Sequence, residues 1–331
     1  MRIAVDAMGS DRSPYVEIEG AIEAAKEFRH EIILVGDEAI LKKELERYRP
    51  YPKNITTYHA SEVVGMAEPA ITPIRKKKDS SISICVELIK KGVADALVSA
   101  GNTGAVVCAA TLNLGLLPGV ERPGIAIVFP SLKGPSLIID VGANIDPKPT
   151  HILQYGLMAD AYSKRILGRS NPTIGLLNVG EEVTKGTDFV KETHALLSAS
   201  RLNFIGNVEG RDIYTGKRDV ILCDGFVGNV VLKVSESVAF TITELLKREL
   251  KSSLLARFSV VLAKSAFRNF KRKIDYAEYG GAPLLGINGA VIISHGSSNP
   301  KAIKNAIRVA CEFNEKAVND HIMEEIEKWK K

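Results

Sequence analysis

The sequence predicts an α/β protein, a three-layer α/β/α sandwich with a mostly parallel sheet and a smaller antiparallel part. Eight short β-branched runs alternate with helical patterns from the first residue onward: RIAVD, EIILV, ALVSA, GIAIVF, SLIIDV, TIGLLNV, DVILCD and AVIISH. They are apolar without alternation, as strands buried on both faces are. The links are short, and strand–helix alternation with short links favours a parallel sheet covered by helices. The antiparallel part follows from SLKG, which joins GIAIVF to SLIID and leaves no room for a helix.

Helix boundaries are marked in order along the chain. Ser13-Pro14 places a cap residue before a proline at the first helical position, and Ser298-Asn299-Pro300 repeats the pattern. Gly92 closes the helix that runs up to Lys90-Lys91. Thr187 is a candidate cap for the helix after TKG. Length alone suggests about two domains, yet α/β folds often run this long around one sheet. With no repeat, low-complexity stretch or clean linker, residues 1–331 read as one α/β/α domain with a helical excursion at 226–273.

Composition excludes several classes. At 45% apolar and 25% charged the chain has ordinary globular composition. Cys85, Cys108, Cys223 and Cys311 are far apart with no CxxC, which excludes a zinc ribbon or a disulfide framework and suggests a reducing compartment. No uninterrupted apolar run of about 18 residues suggests a spanning helix. The N-terminus reaches Asp6 too early for a signal peptide, so a cytoplasmic protein is expected. Net charge is +5, and the excess is local: Lys251, Arg257, Lys264, Arg268, Lys271, Arg272 and Lys273 lie between Leu250 and Ile274 with no acid among them. A nucleic-acid binder would spread a basic face or interleave it with stacking aromatics, so no nucleic-acid partner is expected.

Ligands in open α/β sheets bind outside the carboxyl ends of strands. Three apolar strands end in aspartate, Asp6, Asp140 and Asp224, each followed by glycine-bearing chain. Each could cap its own turn; together they suggest one shared crevice. Gly9 lies in the first turn and Asn144 in the second. ALVSA runs into Gly101-Asn102-Thr103-Gly104, either an anion-binding turn or an asparagine turn closing onto a helix. It is neither GxGxxG nor a P-loop. Lys185 in a TKG loop could clamp a phosphate, and Arg211, two residues after Glu209, could grip one bidentately or pair structurally. His295 ends AVIISH as a candidate proton donor or a hydrogen-bonded strand end. No GxSxG elbow, HExxH or metal-ligand spacing occurs.

In chain order, VDAMGSD, SAGNTGA, DVGAN, LLNVGEE with TKG, GNVEGRDI, CDGFVGN and EYGGAPLLG resemble the phosphate acyltransferase family of bacterial phospholipid synthesis, PlsX. The likeness runs from residue 5 to about 296. Where the family usually reads MGGDHAP, this chain has Ser10 for a glycine and Arg12 for a histidine. Asp6 and Gly9 are therefore carried over, and no catalytic histidine is assigned there. The resemblance implies a Rossmann-like fold similar to phosphate acetyltransferases and to isocitrate and isopropylmalate dehydrogenases. It implies conversion of long-chain acyl-[acyl carrier protein] and inorganic phosphate to acyl phosphate and free carrier protein, by a homodimer without metal or organic cofactor. Lys185, Arg211, Asp224, Asn229 and His295 are then the catalytic candidates. Asp6, Gly9, Gly101 to Gly104, Asp140, Asn144 and Glu209 are the candidates for binding phosphate or the acyl substrate. Inorganic phosphate is itself the nucleophile, so the protein must supply position and charge. A CoA-dependent phosphate acetyltransferase and a metal-dependent decarboxylating dehydrogenase are the alternatives.

The basic stretch carries a helical apolar stripe of Leu254, Leu255, Phe258, Val261 and Leu262. With the cations around it, this stripe suits peripheral docking on the anionic inner face of the cell membrane. Arg257, Lys264, Arg268, Lys271 and Arg272 equally suit an acidic carrier protein. Packing in a dimer interface or on the protein's own core is the third reading.

Overall fold

A computed structural model describes residues 1–251, 263–265 and 280–330. The first half of the chain builds β1 (Arg2–Asp6), α1 (Tyr15–Phe28), β2 (Glu31–Gly36), α2 (Glu38–Glu46), β3 (Ile55–His59), α3 (Ile71–Lys76), α4 (Ser81–Lys90), β4 (Ala96–Ser99) and α5 (Thr103–Asn113). There follow β5 (Gly124–Phe129), β6 (Ser136–Ile139), α6 (Pro149–Ile166), β7 (Ile174–Leu177), α7 (Asp188–Ser198), β8 (Phe204–Val208), α8 (Asp212–Thr215) and β9 (Val220–Leu222). The last described elements are α9 (Gly225–Lys251), β10 (Ala282–Leu285), β11 (Ala290–Ile293), α10 (Pro300–Glu315) and α11 (Val318–Lys330). The stripe residues Leu254, Leu255, Phe258, Val261 and Leu262, and Arg257, Arg268, Lys271 and Arg272, lie outside the described residues.

One eleven-stranded sheet has the order β3-β2-β1-β4-β11-β10-β5-β6-β9-β7-β8. Its strands pair in parallel except β11 with β10, β10 with β5, and β5 with β6. The fold class is therefore as expected, hairpin included. Alternate side chains feed the two helical layers: Ile3 and Val5 join the core under α1, α6 and α10, while Ala4 joins the core under α4 and α5. Beyond the eight expected runs the sheet holds β3 and β10, and it closes with β8 at one edge. β3 escapes the apolar pattern because it is the other edge strand, mostly exposed. β10 is only four residues long and contains Pro283.

Most boundary signals hold. Asn299 accepts from the Ala302 amide, Thr187 from the Val190 amide, and Gly92 ends its helix at φ +66°. Ser13 is the exception. Pro14 takes the cap position of α1 without a side-chain cap bond, and the Ser13 amide donates to the Ser10 carbonyl, closing a turn.

α9 leaves β9 and crosses the sheet, packing Val231 and Leu232 on the core. Its outer side shows Phe226, Val230, Val234, Val238, Ile242 and Leu245 at helical spacing, each about half exposed. By length and composition Gly225–Leu250 could cross a membrane. Lys233 and Glu236 interrupt it, so a search for an unbroken apolar run passes over it.

α1 and α10 pack closely because Gly20 has no side chain. A Cβ there would lie 2.6 Å from both Ile303 Cβ and the Pro300 carbonyl oxygen. Gly20→Val should therefore destabilise the protein by about 1–3 kcal/mol through overpacking. Urea unfolding should show a lower midpoint at an unchanged slope.

Candidate active site

The strand senses divide the candidate residues into two groups. β1, β4 and β11 are mutually parallel, whereas β6, β9, β7 and β8 run the other way across the three antiparallel pairings. Asp6, Gly9, Gly101 to Gly104 and His295 therefore gather at one end of the strands, and Asp140, Asn144, Lys185, Glu209, Arg211, Asp224 and Asn229 at the other. The single crevice expected for three strand-end aspartates does not form. α9 links the two ends. It starts beside Asn144, where the Gly225 amide donates to the Asn144 carbonyl at 2.8 Å, and Lys233 reaches His295 about two turns, or about 12 Å, later.

At the first end Asp6 is fully buried and accepts from the Ser99 hydroxyl at 2.7 Å and from the Met8 amide at 3.3 Å. Burial pushes its carboxyl up, against those hydrogen bonds. Gly9 stands against Gly101: a Cβ on Gly9 would lie 2.5 Å from Asp6 Oδ2 and 2.7 Å from the Gly101 nitrogen. Only glycine lets these two turns meet. The loop after β11 closes the group, since Gly296 accepts from the Asp11 amide at 2.9 Å and Ser294 donates to the Ser99 carbonyl at 2.8 Å.

Asn102 proves to be the asparagine turn. Its Oδ1 accepts from the Ala105 amide, and its Nδ2 donates to the carbonyls of Gly65, Met66 and Glu68. That side chain is spent on capping α5 and on tying the 65–68 segment over it. Thr103 opens α5 and is exposed.

Glu17, which sequence reasoning passed over, lies fully buried on α1 near Ser10 and Asp6. Burial pushes its carboxyl up to about 7, and the Asp6 charge adds to that rise while Ser10 opposes it. Ser10, where the family usually has glycine, is thus buried beside a carboxyl group. Arg12 is exposed and reaches the Ser298 carbonyl at 3.4 Å.

At the second end Asp140 works structurally. Its carboxylate accepts from the amides of Ile125, Gly142, Ala143 and Asn144 at 2.7–3.1 Å. Burial still pushes it up, with those four amides pulling down. Asn144 donates its side-chain amide to the Pro123 carbonyl and the Tyr155 hydroxyl, both at 2.6 Å. Asp224 accepts from the Val227 amide at 2.8 Å and caps α9. Arg211 pairs with Glu209 at 3.1 Å and Glu181 at 3.7 Å, and remains largely exposed. Lys185 and Asn229 are exposed. A cavity of about 440 Å³ between α6 and α11 belongs to neither group. It is lined by Arg169, whose partner Asp219 precedes the amino end of β9. Among the described residues no three His, Cys, Asp or Glu side chains stand together as a metal set.

Fold and strand-end groups together define an α/β/α enzyme with the fold of the phosphotransacetylases. A phosphotransacetylase from Streptococcus pyogenes superposes with TM-score 0.61 over 95% of this chain and 94% of its own, at 18% identity. A 4-hydroxythreonine-4-phosphate dehydrogenase from Klebsiella pneumoniae shares the fold at TM-score 0.51 and 14% identity, over 94% of this chain and 97% of its own. Residues 1–321 match the family described as fatty acid synthesis protein. A phosphate acyltransferase from Citrifermentans bemidjiense is 52% identical over 326 residues, covering 98% of this chain and 93% of that one. The chain belongs to this family, PlsX, and is an acyltransferase.

The Glu17 environment has a pH consequence. Its folded pKa of about 7 stands above the ordinary 4.5, so the stability tied to it is fully present below the lower value and is lost as pH rises through the upper one. Glu17→Gln should flatten the fall of Tm between about pH 4.5 and 7, leaving the part set by Asp6 and Asp140, which shift in the same direction. Scanning calorimetry across that range checks it.

Proposed function

We propose that the chain transfers a long-chain acyl group from acyl carrier protein to inorganic phosphate, in the cytoplasm and as a homodimer associated peripherally with the membrane. Residues 1–331 act as one catalytic unit around the continuous sheet. A phosphate oxygen attacks the thioester carbon, a C–O bond forms, the C–S bond breaks with its electron pair leaving on sulfur, and the phosphate proton ends on the thiol. The protein has to hold an anion beside a thioester and stabilise the oxyanion that develops.

The observation that carries this reading is the meeting of β1, β4 and β11 ends, where glycines admit close backbone approach and His295 follows β11. Transfer is assigned to that end. Lys185 and Arg211 follow strands of the other half of the sheet, at its opposite end, and are assigned to an anionic part of the donor. The half-exposed stripe on α9 supports a second copy as its cover. Conversion of acyl carrier protein thioester and labelled phosphate to acyl phosphate tests the activity.

Two further outcomes are expected. His295→Ala should lower kcat by roughly 10²-fold, the scale of a lost proton donor. Lys185→Ala and Arg211→Ala should each raise KM for the acyl donor by roughly 10-fold, as a lost charge-assisted hydrogen bond does, with kcat nearly kept. The reverse pattern would move the reaction to the Asp140 end. Replacing Leu254, Phe258 and Leu262 with serine should abolish co-sedimentation with anionic vesicles and leave soluble acyl transfer within a few-fold. Replacing Arg257, Lys264 and Arg268 with glutamate should weaken vesicle and carrier-protein binding alike, the latter less at high salt.

A further inference from the structure

Between β3 and α4 the chain forms a loop, with α3 in its returning arm. The two arms are laced together. The Ser61 amide donates to Asp79 at 2.9 Å, the Ser81 amide to the Glu62 carbonyl at 3.1 Å, and Lys77 Nζ to the Val63 carbonyl at 2.8 Å and to Glu68 at 2.7 Å. The tip, residues 65–70, is bound to the start of α5. Asn102 Nδ2 donates to three of its carbonyls at 2.9–3.3 Å, and a Cβ on Gly104 would lie 2.8 Å from the Ala70 Cβ. On the β11 side the tip reaches Gly296, where a Cβ would lie 2.6 Å from Met66 Cε and 3.4 Å from an Asp11 carboxylate oxygen. Met66 and Asp11 therefore flank one glycine, and Asp11 lies two residues beyond Gly9. The tip thus spans from the Asn102 turn to the loop after β11, both at the Asp6 end of the sheet.

The segments at this end differ in what they expose. From 10 to 13 the exposed residues are Asp11 and Arg12, from 101 to 104 Thr103, and from 294 to 298 His295 and Ser297, all polar. From 66 to 71 they are Met66, Ala67, Pro69 and Ile71, all apolar, with Met66 48% and Ile71 54% exposed. An alkyl chain has no hydrogen bond to give or take and gains by leaving water, so it belongs on the apolar segment. The hydrogen-bonded frame holds that segment in place beforehand, which spares the cost of ordering it when a ligand arrives. We propose that this tip is the seat of the acyl chain, with Met66 over the carbons nearest the thioester and Ile71 over those further along, and that the pair sets the preferred chain length. The seat rests on the assignment of acyl transfer to the Asp6 end. A thioester carbon held at the Gly9 and Gly101 turns must carry its tail out past one of the bordering segments, and Met66 stands at that border. Each methylene fully covered there strengthens binding by about four-fold.

The test combines chain-length kinetics with a direct view of where the tail lies. Octanoyl and hexadecanoyl carrier-protein thioesters serve as donors, with inorganic phosphate as acceptor. In the double variant Met66→Ser, Ile71→Ser, KM should rise more for the hexadecanoyl donor than for the octanoyl one, so that the ratio of their kcat/KM values falls by roughly 10-fold. Met66→Trp, which fills the seat, should shift the preference from hexadecanoyl toward octanoyl. Both positions are exposed, so melting curves should match those of the unaltered protein. A hexadecanoyl thioester with a diazirine on its tail should, on illumination, attach to residues 63–71, as read by peptide mass spectrometry. An unchanged ratio in the double variant, or label on the outer stripe of α9 or on residues 254–262 in place of the tip, would overturn the seat. If His295→Ala keeps full activity while the tail labels the tip, the placement of the chemistry fails and the seat stands. If His295→Ala is slow and the label falls elsewhere, the seat alone fails.

Discussion

Three antiparallel pairings in the middle of the sheet decide which loops can meet. β11 with β10, β10 with β5, and β5 with β6 are each an inversion of strand sense, and an odd number of inversions leaves the outer halves running in opposite directions. An even number would have put the ends of β1 and β9 on the same side, with Asp6, Asp140 and Asp224 around one crevice. With three, the carboxyl ends of β1, β4 and β11 face away from those of β6, β9, β7 and β8. Every loop with polar or charged candidates inherits its position from that count.

The same residue type is then used in two ways. Asp140 sits at a strand end wrapped by four backbone amides, so its carboxylate organises the 140–144 turn and fixes the start of α9 against Asn144. Asp6 is held by the Ser99 hydroxyl and the Met8 amide, with the Ser81 hydroxyl lowering its carboxyl too, and shares its end with the buried Glu17. Two buried acids close together favour the protonated form. The Asp6 end is also where glycines let backbone approach backbone.

α9 is the element that makes the two ends one system. It is capped by Asp224 at the Asp140 end, rests on the sheet through Val231 and Leu232, and delivers Lys233 to His295 at the Asp6 end. Its outer stripe remains half exposed along the same length.

Local patterns in the sequence determined a good deal on their own: the buried parallel strands, the β5–β6 hairpin, the caps at Thr187 and Asn299, and the glycine at 92 all depend on neighbours within a few residues. What the tertiary structure alone decided is which of those loops share an end, because strand sense across a sheet depends on pairings between residues far apart in the chain, such as Leu284 with Ile125. It also decided that Asn102 caps α5 and Asp140 gathers the 140–144 amides, that Glu17 on α1 is buried beside Asp6, and that Lys233 meets His295, 62 residues away. A lysine in an apolar helical run can be read from sequence as unusual; its partner cannot, since only packing brings α9 onto the end of β11.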